Sequence, residues 1–258
     1  TIMLTDTHCH LYYDSIKKDI QTVLARAEEQ GVNRFICVGT NTTNSADSLK
    51  IAANFDSVYA SAGVHPHDAK DAPDDYLKQI RNLLQFDKMV AVGEMGLDYF
   101  RNISPPDVQK KVFREQMELA HQINKPVIFH NRDADEDVIK ILSEFPGVVG
   151  VSHCFSSDLK TAKVFLDMGF YISFSGNLTF KNSLLPEVAK EIPLNKIMVE
   201  TDSPFLSPVP FRGKPNEPGR TLFVAKKLAE IHELTLEEIA EKTSENAAKL
   251  FNLPKLSC

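Results

Sequence analysis

The chain has 258 residues, 43% of them hydrophobic and 25% charged, which supplies a sizeable core and leaves no long segment polar enough for disorder. No apolar run approaches the roughly 18 residues of a membrane span, and the net charge of −6 speaks against nonspecific coating of nucleic acid. A nucleic-acid enzyme is still compatible with that charge, because bound divalent cations and a few arginines supply a positive field locally.

Strand-like sequence starts almost at the first residue and leaves no room for a signal or transit peptide, so the expectation is a cytoplasmic protein. Eight short β-rich runs then recur, each followed by a helical pattern. They are Ile2–Asp6, Arg34–Gly39, Val58–Val64, Met89–Glu94, Pro126–His130, Val148–His153, Tyr171–Gly176 and Ile197–Asp202. The runs are rich in Val, Ile and Phe and nearly continuous, as parallel strands buried on both faces must be. Among the amphipathic stretches, Ile20–Gln30 is closed by Gly31, where a C-terminal glycine belongs. Val108–Ile123 follows a Ser104–Pro105 start signal. After the eighth run come a Pro/Gly-rich loop, Ser203–Gly219, and helical stretches Arg220–Glu233 and Leu236–Phe251. Thr235 and Glu238 form a capping-box pattern at the start of the last one.

Cys9, Cys37, Cys154 and Cys258 show no C-x-x-C spacing and read as free thiols of a reducing compartment. The strict alternation predicts an α/β chain folded as a single-domain (β/α)8 TIM barrel over residues 1–258, with additional C-terminal helices. A doubly wound sheet would bring a Gly-rich phosphate turn after the first strand, where this chain has Thr7-His8-Cys9-His10.

Nearly every chemically suspicious polar residue falls at the C-terminal end of a predicted strand, and in a barrel that end is the active-site mouth. Alternation puts His8 and His10 on one side of the first strand and Cys9 on the other. The fourth run ends in Glu94, the fifth in His130, the sixth in His153 and the eighth in Glu200-Thr201-Asp202. Each signal alone is weak, since a lone H-x-H is more often incidental. Together they would be several costly buried polar groups without a common purpose, and shared metal ions account for all of them. Four imidazoles and two carboxylates exceed what one ion needs while keeping a position open. The set therefore reads as two divalent ions bridged by Glu94, one with His8, His10 and Asp202, the other with His130 and His153. Such a pair activates a water and stabilises the leaving oxygen, with Asp202 accepting the water's proton. Mg2+, Mn2+ and Zn2+ all suit this mixed N/O donor set.

The motifs Asp6-Thr-His-Cys-His10, Gly63-Val-His-Pro-His67, Gly93-Glu-Met-Gly-Leu-Asp-Tyr99, Ser152-His-Cys-Phe155 and Glu200-Thr-Asp-Ser-Pro-Phe-Leu206 closely resemble the TatD-type deoxyribonucleases. So do Arg212–Pro218 and the closing Asn246–Phe251, and the resemblance runs in order through essentially the whole chain. It implies a TIM barrel related to the amidohydrolases, divalent-metal-dependent cleavage of DNA phosphodiesters in the 3'–5' exonuclease mode, and the same six metal ligands. DNA or RNA is the implied substrate, and a monomer with no obligate protein partner is expected. Related amidohydrolases often bridge their ions with a modified lysine on strand four; Glu94 at that place favours the TatD branch.

Around the six, His65 is read as a substrate-phosphate or oxyanion contact and a catalytic group beside Glu94 and Asp202. His67 is open between function and loop structure. Glu200 orients Asp202 from behind or lies in the core, and Asp98 binds substrate or caps its loop. Arg212 and Lys214 lie in the loop after the last strand, where barrels often hold phosphate, and a guanidinium suits a phosphodiester. Tyr99, Phe100, Phe155 and Phe205 are near the mouth and available to stack on bases, whereas Phe113 and Phe223 read as core. Two other classes compete with the nuclease. One is hydrolysis of a small amide, ester or phosphate, since the fold does not set the substrate; the other is a non-catalytic metal-binding protein.

Overall fold

Eight parallel strands pair in strict sequence order: β1 (Leu4–Cys9), β2 (Val32–Val38), β3 (Val58–Ala62), β4 (Met89–Asp98), β5 (Val127–Arg132), β6 (Gly150–Ser152), β7 (Tyr171–Phe174) and β8 (Ile197–Val199). The structure is a computed structural model that describes residues 1–256; Cys258 lies outside the described residues. Helices separate successive strands, and two more, Thr221–His232 and Leu236–Phe251, follow β8. This is the expected (β/α)8 barrel with C-terminal helices.

The seam between β8 and β1 closes at the C-terminal end. The amide of Asp202 donates to His8 O (2.8 Å) and that of His10 to Ser203 O (2.9 Å), with Cys9 bridged in parallel to Ser203. The same backbone bonds that close the barrel thus set His8, His10 and Asp202 side by side.

Strand limits differ from the sequence expectation at both kinds of end. β4 continues beyond Glu94 to Asp98, pairing Gly96 with His130 and Asp98 with Arg132 of β5. β6 and β8 stop earlier, before His153 and Glu200, and the backbone then turns into the left-handed region at Cys154 (φ 44°) and Asp202 (φ 56°). A strand ladder cannot continue through positive φ, so these polar residues sit on the lip of the barrel.

Inward-facing Ile36, Val38, Val90, Ile128, Val151 and Met198 form one apolar cluster with Ala247, Leu250 and Phe251 of the last helix, which therefore plugs the floor of the barrel. Polar bonds fasten this plug. Asn246 Nδ2 donates to Leu194 O (2.9 Å) and Ile197 O (2.8 Å), and Ser244 Oγ donates to Met3 O (2.8 Å). Buried Arg34 donates to Thr5 Oγ1, Ser244 O and Pro254 O. The capping box forms as the sequence predicts, with Thr235 and Glu238 exchanging side-chain and backbone bonds.

The outer strand faces and the helices build the larger core, around Phe35, Phe113, Phe129 and Phe165. Phe223 is only half-buried, packing against Phe211 at 4.9 Å rather than joining that core. Cys9 and Cys37 point into the outer layer, where burial pushes the Cys37 thiol up to about 11, so both are inert; Cys154 is only partly buried. Among the described residues no helix is long and apolar enough to cross a membrane.

The Asn246 amide donates to two main-chain carbonyls at the start of β8, Leu194 O and Ile197 O. Asn246→Ala should therefore lower unfolding stability by about 1–3 kcal/mol, read as a reduced urea midpoint at unchanged m-value; an unchanged midpoint would show that the plug does not depend on this residue.

Candidate metal centre

The site is built around Glu94, which is 2% exposed at the centre of the mouth. Glycines on either side let β4 reach β5 closely enough to place it. Gly93 has φ 145° and Gly96 has φ 138°. A Cβ on them would lie 2.4 Å from Ile128 O and 2.0 Å from His130 O respectively, so neither the conformation nor the space admits a side chain.

The two carboxylate oxygens of Glu94 face different partners. Oε2 lies 3.1 Å from His8 Nε2 and 3.9 Å from His10 Nε2. Oε1 lies 2.9 Å from His153 Nε2, 3.3 Å from His130 Nδ1 and 3.4 Å from His65 Nε2. Asp202 Oδ1 completes the first group, 3.1 Å from His10 Nε2 and 3.5 Å from His8 Nε2. His8, His10 and Asp202 have ligand atoms within 4.8 Å of one another, as do His8, Glu94 and His153.

Partners outside the cluster decide which nitrogen each ring offers to it. His10 Nδ1 donates to Val38 O (2.8 Å), with the Tyr12 hydroxyl beside it. His130 Nε2 donates to Asp98 Oδ2 (2.9 Å) and His153 Nδ1 donates to Glu200 Oε1 (3.0 Å). With one proton per ring spent outward, each ring turns a lone pair toward a carboxylate oxygen. That arrangement is repulsive unless a cation lies between, and two such groups facing opposite oxygens of one carboxylate fit divalent ions.

Burial works against charge on His10, His130 and His153, but the neighbouring carboxylates outweigh it and raise all three above the usual imidazole range. His8 differs. Its ring stacks on His153 with centroids 3.7 Å apart, and burial together with the His153 charge lowers it. Its Nδ1 is buried without a partner among the described residues, so nothing outside the cluster restrains its tautomer.

His65 belongs to the cluster by distance but not by proton. Its Nδ1 accepts the backbone N–H of His67 (3.0 Å), which leaves the proton on Nε2, pointing at Glu94. Burial pushes the ring down to about 4, so it is a neutral hydrogen-bond donor, unlike the lone-pair-presenting rings. For Glu94, burial is outweighed by the His153 charge and by the other imidazoles gathered around it, which hold it well below the usual carboxylate range. Burial also raises Asp202, but the His10 hydrogen bond and the charges of His153 and His8 hold it below its ordinary value.

Other expected residues fall elsewhere. Asp98, read as a substrate contact or loop cap, is buried behind His130. Its Oδ2 accepts from His130 and His67 (3.1 Å), and its Oδ1 accepts from the Arg101 amide (2.8 Å). It has no oxygen free for substrate, and this correction follows from β4 running on to Asp98. Glu200 is buried against His153 rather than behind Asp202. The carboxylate below Asp202 is Asp6, which accepts from Thr201 Oγ1 (2.6 Å) and the Thr201 amide (3.0 Å); burial pushes it up to about 8.

Arg212 lies over the Phe180 ring at 3.9 Å and donates to Ser207 O (2.9 Å). It lines a cavity of about 1050 Å³ with Asp135, Asn177 and Lys181 that includes none of the six. Lys214 is exposed. Phe155 is 2% exposed and packs on Phe165 and Phe174, which removes it from base stacking; Tyr99 is half-buried with its hydroxyl donated to Asp137. Two mouth residues escaped the sequence reading, Tyr13 and Arg132. Their only signal was spacing, three residues past His10 and two past His130.

A family model described as TatD related DNase matches residues 5–252. The chain is 46% identical over 254 residues to the uncharacterized metal-dependent hydrolase YabD of Bacillus subtilis (strain 168), covering 97% of this chain and 100% of that protein. It is 35% identical over 261 residues to the 3'-5' ssDNA/RNA exonuclease TatD of Edwardsiella piscicida, covering 97% and 100%. The crystal structure of YjjV, a TatD homolog from Escherichia coli K12, is similar with a TM-score of 0.92 at 33% identity, covering 97% of this chain and 98% of that one.

The raised imidazoles give the site a pH dependence of known sign. Rings held above the usual imidazole range keep protons that an entering divalent ion must displace, and they keep more of them as pH falls. Calorimetric titration in buffers of different ionisation enthalpy should therefore show net proton release on metal binding, and affinity that falls as pH is lowered; binding without proton exchange would contradict the assignment. Asp98→Asn, which weakens the hold on His130, should reduce metal affinity by about 10–100-fold.

Proposed function

The chain belongs to the TatD-related DNase family of metal-dependent hydrolases, and from that premise we propose that it is a 3'–5' exonuclease cleaving DNA phosphodiesters with two divalent ions. The observation that carries the two-ion reading is the division of Glu94, with one oxygen toward His8 and His10 and the other toward His130 and His153. Glu94 Oε2, His8, His10 and Asp202 would hold one ion, and Glu94 Oε1, His130 and His153 the other. The name of the Edwardsiella relative supports the substrate and polarity, and the match over residues 5–252 supports one hydrolase domain. The donor set of imidazoles and carboxylates, with no thiolate, suits Mg2+, Mn2+ or Zn2+.

When bound, such ions lower the pKa of water and stabilise charge on the phosphoryl and leaving oxygens. The chain's own groups supply the rest. Asp202, held ionised beside His10, accepts the proton of the attacking water. His65 is neutral with its proton on Nε2, and it donates to a phosphate oxygen in the place where it now meets Glu94. Asp98, Glu200 and Val38 O keep the ligand rings in the tautomer that presents a lone pair.

The assay is degradation of end-labelled single-stranded DNA by protein loaded with Mg2+, Mn2+ or Zn2+. Glu94→Ala should abolish cleavage. Asp202→Ala should lower kcat by roughly 10²–10⁴-fold, the range of a general base. His65→Ala should lower it by about 10²-fold, as for loss of one oxyanion donor. No cleavage by the metal-loaded wild type, or full activity in both carboxylate variants, would overturn the proposal. Faster turnover of chromogenic esters or cyclic amides than of oligonucleotides would place the enzyme among the small-molecule hydrolases instead.

A further inference from the structure

Among the described residues the exposed aromatic side chains are Tyr13, Phe86, Phe100 and Phe205. Three of these four stand on segments that leave the C-terminal ends of site-bearing strands: Tyr13 after β1, Phe100 after β4 and Phe205 after β8. Exposed rings gathered at a catalytic mouth are not explained by packing.

They form two platforms. Tyr13 and Phe205 meet edge to face with centroids 5.3 Å apart, and both approach His10, at 6.1 and 6.3 Å. Across the mouth, the Arg132 guanidinium lies 3.8 Å above the centroid of Phe100. Phe100 is two residues beyond Asp98 and Arg132 two beyond His130. Arg132 is exposed and forms no ion pair with a carboxylate among the described residues. Strand order sets where the platforms lie. β8 and β1 are neighbours at the seam, and β4 and β5 stand on the opposite side of an eight-stranded ring. Glu94 and its imidazoles occupy the space between.

We propose that the two platforms bind the nucleobases on either side of the scissile phosphate, one against Tyr13 and Phe205 and the other against the Phe100–Arg132 stack, with Arg132 also facing the adjoining phosphate. This rests on the nuclease reading above and deepens it. A strand gripped by both neighbouring bases must present them unpaired and unstacked from each other, so the substrate is a single-stranded end. Ring stacking tolerates any base, so recognition is independent of sequence. The phosphate contact falls to Arg132, which stands two residues past His130, whereas Arg212 lines a cavity that includes none of the six cluster residues.

The test is a double-mutant cycle between protein rings and substrate bases. Short single-stranded oligonucleotides carry either intact nucleotides or one abasic residue, placed 5' or 3' of the scissile bond. Phe100→Ala and the double variant Tyr13→Ala/Phe205→Ala should each lower kcat/KM on the intact strand by about tenfold, in the range of base–aromatic stacking. Each variant should lose little more when the base on its own side is absent, yet still respond to loss of the opposite base. Phe100→Tyr and Phe205→Tyr, which keep the rings, should restore the intact-strand rate. Additive losses on both sides, or equal losses on intact and abasic strands, would overturn the proposal. Running the same cycle on binding, by fluorescence anisotropy, separates the two readings. Coupling in binding without any cleavage would retain the platforms and sink the nuclease; cleavage without coupling would do the reverse.

Discussion

A carboxylate buried among imidazoles governs this molecule. Burial alone would neutralise Glu94, and it stays ionised because histidines approach both of its oxygens. The converse also holds, since the carboxylates keep three of those rings above their ordinary proton affinity. Neither side of the arrangement is stable without the other. Truncating the carboxylate removes the partner that the inward nitrogens of His8, His130 and His153 share, and truncating a ring leaves a buried anion underpaired.

The barrel supplies that constraint through its backbone rather than through any single contact. The β8–β1 seam closes by bonds between the residues that carry His8, His10 and Asp202, so closing the fold and assembling half of the site are one event. The other half depends on how closely β4 runs beside β5, which Gly93 and Gly96 permit by lacking a Cβ. At the far end the last helix fills the barrel floor with Leu250 and Phe251 and is tied down by Asn246 and Arg34. Chemistry and stability are thereby separated to opposite ends of the same strands.

Outside the cluster, Asp98, Glu200 and Val38 O act on the rings rather than on any substrate. They spend one ring proton each and leave the opposite nitrogen as a lone pair. The same logic, reversed, makes His65 a donor, because a backbone N–H occupies its Nδ1. The histidines of the site are thus divided into three rings that offer lone pairs, His10, His130 and His153, and one, His65, that offers a proton, while the tautomer of His8 is set only within the cluster.

Much of this was legible in the sequence. Eight Val/Ile-rich runs at regular spacing were sufficient for the barrel, because a strand buried on both faces has few other compositions open to it. The convergence of His8, His10, Glu94, His130, His153 and Asp202 followed from their common place at strand ends. What the sequence could not show was where a polar residue just beyond a strand would turn. A strand ending at Glu94 leaves Asp98 in a loop, to bind substrate or cap that loop; the longer strand buries it behind His130. Phe155 went into the core and Phe100 out of it, although both follow strand ends. Periodicity determines the side a residue takes within a strand. Once the ladder stops, only the packing of the loops decides, and that depends on residues far apart in the chain.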